Sequence, residues 1–152
     1  MKKQLSTSKH GFTIIEVVLV LAIAGLIFLM VFVALPALQR SQRDTQRRDD
    51  MSRLASALTQ YQANNDNNLP SDNTFVNNYL AEGFKDPSGN NYTVTVSSLT
   101  GTNTATGSSV GTVTIYKTAY CEGETAKATT GNSYFAIVTK LEGSGSACVD
   151  NK

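Results

Sequence analysis

The chain of 152 residues has one histidine, His10, and two cysteines, Cys121 and Cys148. That scarcity excludes most catalytic chemistry. A Ser–His–Asp triad needs a histidine beside its nucleophile, and His10 stands alone near one end of the chain. Phosphate loops of the Gly-Lys-Ser/Thr type, His-Glu-x-x-His helices and Cys-x-x-Cys pairs are all missing. Two cysteines and a distant histidine are too few ligands for zinc. Asp66, Asp72 and Asp86 lack the oxygen-ligand spacing of a calcium loop. The expectation is a protein that is not an enzyme and holds no metal and no cofactor. A formal net charge of +1 gives no global case for binding nucleic acid or an anionic membrane.

What the chain does have is unevenly spread. Its length suits one domain of modest size. Residues 12–38 are almost wholly apolar, whereas the rest is rich in Asn, Ser, Thr and Gly. Residues 1–11 are polar, with Lys2, Lys3 and Lys9 and no acid. The apolar run exceeds the roughly 20 helical residues that span a hydrocarbon core. A cleaved secretory signal would have an apolar region of only about 7–15 residues before an Ala-x-Ala-like site. Ala22, Ala24, Ala34 and Ala37 offer such sites, but the run continues past the first pair and ends around the second. A plain membrane anchor fits the length and leaves Glu16 unexplained. A carboxylate there costs on the order of several kcal/mol unless something partners it. The flanking charges give no orientation, because Arg40, Arg43, Arg47 and Arg48 beyond the run nearly cancel the lysines before it.

The string Lys9-His10-Gly11-Phe12-Thr13-Ile14-Ile15-Glu16 resembles the processing site of type IV prepilins and of the related type II secretion pseudopilins. The resemblance implies that a dedicated peptidase cuts between Gly11 and Phe12 and methylates the new amine of Phe12. Glu16 matches the acid that the family carries at the fifth position of the mature chain. In that reading the amine of an incoming subunit, with a reference pKa of about 8, pairs with Glu16 of its neighbour. A buried charge that is costly alone then becomes a mark of register. Gly25 matches a glycine common in the family, and Pro36 stands somewhat later than the usual proline. Pro36 has no N–H and frees the carbonyl of Phe32, so the resemblance implies a helix that unwinds between Gly25 and Pro36 inside a filament.

The resemblance further implies a structural subunit of a type IV pilus, serving adhesion, twitching motility or DNA uptake. Its partners would be copies of itself in a helical filament, the prepilin peptidase, the pilus assembly machinery and, before assembly, the membrane it crosses once. Nucleic acid is not required. The precursor would sit in the inner or cytoplasmic membrane, and the assembled filament outside the cell. The alternatives are a minor pilin or secretion pseudopilin, and a signal-anchored surface binding protein that keeps residues 1–11.

The fold expected is α+β, with one long N-terminal helix on a small antiparallel sheet of about 3–4 strands. Residues 1–11 form the leader, 12–38 the membrane or filament-core helix, and 39–63 its amphipathic continuation. Residues 64–152 form the head. Beyond Leu38 charges pair at i,i+4: Arg40 with Asp44, Asp44 with Arg48, Asp49 with Arg53. The interleaved acids make this a solvated or subunit-pairing face rather than a DNA-binding one. Met51, Leu54, Leu58 and Tyr61 form an apolar stripe, and residues 64–68 stop the helix. A short helix capped by Asp72 or Asn73 follows, with Gly83 as its stop. Residues 86–89, Asp-Pro-Ser-Gly, read as a tight turn, and residues 85–92 resemble an Asp-Pro-x-Gly…Tyr element of pilins and major pseudopilins. Strands are expected near 92–96, 112–115 and 133–141, with residues 97–111 as a mobile loop. An even cysteine count in a small exported head favours a disulfide. A Cys121–Cys148 bridge would close the C-terminal region on the sheet, much as pilins do.

Overall fold

The computed structural model describes residues 11–80 and 84–152. His10, the leader lysines and the expected stop at Gly83 lie outside the described residues. Two compact units divide between Leu38 and Gln39.

Helix α1 (Ile14–Asn64) is unbroken and has Pro36 inside it. Within the first unit its large apolar side chains are 47–85% exposed. It is the one helix among the described residues long and apolar enough to cross a membrane. Within the second unit the same helix has a buried stripe. Met51, Leu54 and Leu58 recur at helical spacing and have no exposed surface. The helix ends where Asp66 and Asn67 adopt the left-handed conformation that such short polar residues tolerate, at φ 51° and 62°. The Asn67 N–H donates to the Gln62 carbonyl at 2.9 Å and closes the last turn. Helix α2 (Thr74–Tyr79) follows. Asp72 accepts from the Thr74 N–H at 2.9 Å, whereas Asn73 at the cap position makes no side-chain capping bond.

The head is built on a four-stranded sheet in the order β1 (Thr93–Ser98), β3 (Thr112–Lys117), β6 (Phe135–Lys140), β7 (Ser146–Asp150). Its β3–β6 and β6–β7 pairings are antiparallel. The β1–β3 pairing is parallel, with Thr93 opposite Thr112 and Thr95 opposite Thr114. A parallel neighbour needs a crossover of about a dozen residues or more, and residues 99–111 supply it. That segment is therefore not the free loop expected. β2 (Thr104–Ala105) lies within it and pairs with β5 (Thr125–Ala128), which pairs in turn with β4 (Ala119–Glu122). This second sheet, in the order β2–β5–β4, was not expected at all.

The alternation of β6 explains the layering. Phe135 and Ile137 point into the core made by Met51, Leu54, Leu58, Phe75, Val113 and Ile115. Ala136 and Val138 point the other way, into a smaller core with Leu99, Ala119 and Ala126. A strand apolar on both faces has to be covered twice, by helix on one side and sheet on the other. Each large apolar side chain so buried contributes about 1.5–3 kcal/mol. Thr118, at φ 53°, is where the chain leaves the first sheet for the second. Its hydroxyl donates to the Leu99 carbonyl at 3.0 Å, which holds a β-branched residue in a conformation it seldom adopts.

Candidate functional site

At the start of α1 the chain forms a reciprocal cap. Thr13 is the residue before the helix, and the Glu16 N–H donates to its hydroxyl oxygen at 3.3 Å. The Thr13 N–H and hydroxyl both donate to Glu16 Oε2 at 2.8 Å. This is a Thr-x-x-Glu capping box, which satisfies backbone donors left over at a helix start. Glu16 also sits in the first turn, where the helix dipole favours negative charge. Sequence reasoning sought a partner for Glu16 in another subunit and overlooked this near one. The spacing of Thr13 and Glu16 was the available signal. Its hydrogen bonds use the Thr13 amide and not the Gly11–Phe12 bond, so a cut there leaves the cap intact.

Around this cap the surface is open. Phe12 is 89% exposed, and neither Gly11 nor Gly25 has a neighbour within 4 Å of the place a side chain would take. Gly25 and Pro36 both lie in an unbroken helical stretch of the isolated chain. The apolar surface of residues 12–38 is continuous and without a partner within the unit, far more than a monomer ordinarily leaves to water.

In the head the functional geometry is a clamp centred on Arg47. Its guanidinium is wholly buried and meets three carboxylates: Asp86 at 2.7 Å, Glu142 at 2.7 Å and Asp44 at 3.1 Å. Arg43 also binds Glu142. Asp44 accepts from the backbone N–H groups of Glu142 at 2.8 Å and Gly143 at 2.9 Å. The clamp ties α1 to the turn at residues 86–89 and to the β6–β7 turn. These partners replace the i,i+4 pairs expected on the surface. Asp44 pairs with Arg47 and Asp50 with Arg53, both at i,i+3. Arg47 points inward and is not part of a solvated face. Long-range acids from the loops outcompete neighbours on the helix surface because burial strengthens their attraction for the cation.

The electrostatics follow from this packing. The Arg43 hydrogen bond has the largest influence on the Glu142 carboxyl and, with Arg47, pulls it down to about 2 against the opposing effect of burial. Burial pushes the Asp86 carboxyl up, but the Arg47 and Ser88 hydrogen bonds outweigh it and the net shift is downward. Burial dominates at Asp50 and raises it, although Tyr92 donates a hydrogen bond to it at 3.0 Å. Burial and the acceptor at Asp50 raise the Tyr92 phenol. The Asp-Pro-x-Gly…Tyr element thus has a physical role. Asp86 accepts from the Ser88 N–H at 2.9 Å and anchors Arg47, Gly89 takes φ 88° to close the turn, and Tyr92 reaches Asp50.

Cys121 of β4 and Cys148 of β7 are joined by a disulfide with Cα atoms 5.8 Å apart. It links the two sheets. Among the described residues no cluster of three or more His, Cys, Asp or Glu is placed to hold a metal ion.

A family model described as the prokaryotic N-terminal methylation motif matches residues 6–32. That stretch contains Gly11, Phe12, the Thr13–Glu16 cap and Gly25. No curated protein and no solved structure gives a significant match. The matched motif implies processing by a prepilin peptidase and the use of an assembly machinery. Residues 6–32 thus carry a prokaryotic N-terminal methylation motif of the type IV prepilin leader kind, overlapping the start of an apolar helix, and this supports a pilin- or pseudopilin-like protein.

Proposed function

We propose that this protein is a pilin, the structural subunit of an extracellular type IV pilus filament, without catalytic activity of its own. The observation that carries the reading is a helix whose apolar first half is exposed in the isolated chain and has in its first turn a carboxylate, Glu16, the fifth residue after the proposed cut. Cleavage between Gly11 and Phe12 would leave a methylated, cationic amine on Phe12. Glu16, oriented by Thr13, is the acceptor for the amine of the next subunit, and that pairing sets register. Packing of residues 12–38 between copies removes apolar surface from lipid and water alike and forms the filament core. Before assembly the same helix spans the membrane once. Gly25 and Pro36 are the positions where the helix unwinds as subunits pack, since Pro36 leaves the Phe32 carbonyl without its helical donor.

The head faces outward and carries whatever the filament does in adhesion, motility or DNA uptake. The Cys121–Cys148 closure of that head supports a pilus subunit over a secretion pseudopilin. Mass spectrometry of the N-terminal peptide in filaments sheared from intact cells tests the reading. The expected product is an abundant peptide beginning at N-methylated Phe12. A membrane-retained chain that keeps residues 1–11 would establish a plain anchor in its place.

A further inference from the structure

Next to the turn that begins at Asp86 the head has an open depression of about 250 Å³. Two chain segments wall it: residues 86–93, and residues 110–112 at the start of β3. Both walls are fixed by backbone. The Thr93 N–H donates to the Gly111 carbonyl at 3.0 Å, and the Asp86 N–H donates to the Asn90 carbonyl at 2.8 Å. Gly111 and Gly89 take φ 81° and 88°, turns that a side chain would strain. The depression is therefore preformed.

Its lining is mostly polar and uncharged. Asn90, Asn91 and Thr93 are exposed, and their side chains make no hydrogen bond among the described residues. Thr112 adds a hydroxyl, held by Ser109 at 2.8 Å. Val110, 43% exposed, is the apolar edge. The one ionised group in the lining, Asp86, already has both oxygens engaged by Arg47 and one also by the Ser88 N–H. No cation lines the depression, so a phosphate or sulfate has nothing to neutralise it. No free carboxylate lines it either, so a metal or ammonium ion has no counter-charge. What remains is a neutral ligand rich in hydroxyl groups. Asparagine amides offer a donor and an acceptor side by side, matching adjacent hydroxyls, and Val110 can cover the C–H face of a ring.

We propose that this depression is a binding site for a neutral pyranose sugar, with Asn90 and Asn91 as the principal polar contacts and Val110 as the apolar one. The site belongs to the head alone and stands whether or not the chain assembles into filaments. Few contacts and an open rim put its affinity in the range of about 1–10 mM for a monosaccharide.

The test is a titration of the detergent-solubilised full chain with glucose, galactose, mannose and N-acetylglucosamine, followed by amide NMR shifts. At least one of these sugars should give saturable shifts at Gly89, Asn90, Thr93, Gly111 and Thr112. An Asn90→Ala/Asn91→Ala variant with an unchanged melting temperature should weaken that binding at least tenfold. A more conservative Val110→Ser variant should weaken it severalfold. Inorganic phosphate and calcium chloride serve as the charged controls. No saturable shift with any of the sugars, shifts elsewhere on the head, tighter binding of either ion at these residues, or undiminished binding by the double variant would overturn the assignment.

Discussion

The two halves of helix α1 have the same backbone and opposite surroundings. Residues 14–38 bury none of their large apolar side chains, whereas the half beyond Leu38 buries Met51, Leu54 and Leu58 completely and takes Arg47 in with them. The first half has no partner within its own unit, and the second is held by the head. The polar groups divide the same way. Glu16 has local partners three residues away, which leaves it accessible to another chain. Arg47, besides Asp44 three residues away, has partners 39 and 95 residues away and no exposed surface. An ionic group with only near neighbours is free to act between subunits, and one saturated by distant loops holds a fold.

Substitutions can break that contrast, and the largest effect belongs to Glu16. Glu16→Ala should leave cleavage at Gly11 intact and lower the yield of sheared filaments at least tenfold, read by immunoblot beside the N-terminal peptide. Normal filament yield from this variant would remove Glu16 from any role in register. In the head, Arg47→Ala leaves Asp86 buried without its cation. That should cost about 3–5 kcal/mol in urea unfolding, with the processing of residues 11–12 unaffected. Replacing Cys121 and Cys148 by alanine should cost about 2–4 kcal/mol, since the bridge closes a separation of 27 residues.

Acid should act on the head more weakly. Glu142 and Asp86 ionise more readily folded than unfolded. Their contribution is thus complete above the ordinary carboxylate value of 4.5 and is lost as the pH falls toward about 2. Asp50 has the opposite sign: its raised value means protonation relieves a cost, which offsets part of that loss. Thermal melts between pH 5 and pH 2, about the span over which these groups titrate, should show falling stability, with a shallower slope in Glu142→Gln. The smallest expected effect is at the cap, where Thr13→Val should lower helix stability by about 0.5–2 kcal/mol and leave the head's melting unchanged.

How far the sequence revealed all this depended on the range of each interaction. The helix, its apolar stripe and the two-faced β6 follow from periodicity within a few residues, and all three were legible. The Thr13–Glu16 cap was equally local and could have been read from its spacing. The clamp was not legible, because Arg47 looks like Arg40 or Arg48 until the loops holding Asp86 and Glu142 fold over it. The second sheet was missed for a related reason. Its strands are short and contain small residues such as Ala119 and Ala126, which bury little area and leave a weak pattern. The hairpin signal at Gly123, with φ 63° between Glu122 and Thr125, was the one local clue. The parallel pairing of β1 and β3 was hidden by the expectation that a Ser/Thr/Gly-rich segment joins neighbouring antiparallel strands. Crossover length alone would have permitted either arrangement.

The most direct test of the account is a filament reconstruction detailed enough to place the Phe12 amine. That amine should lie within about 4 Å of Glu16 on a neighbouring subunit, as an ion pair within the packed helices. A map in which Glu16 stays bonded only to its own Thr13, with the Phe12 amine turned to solvent, would contradict it.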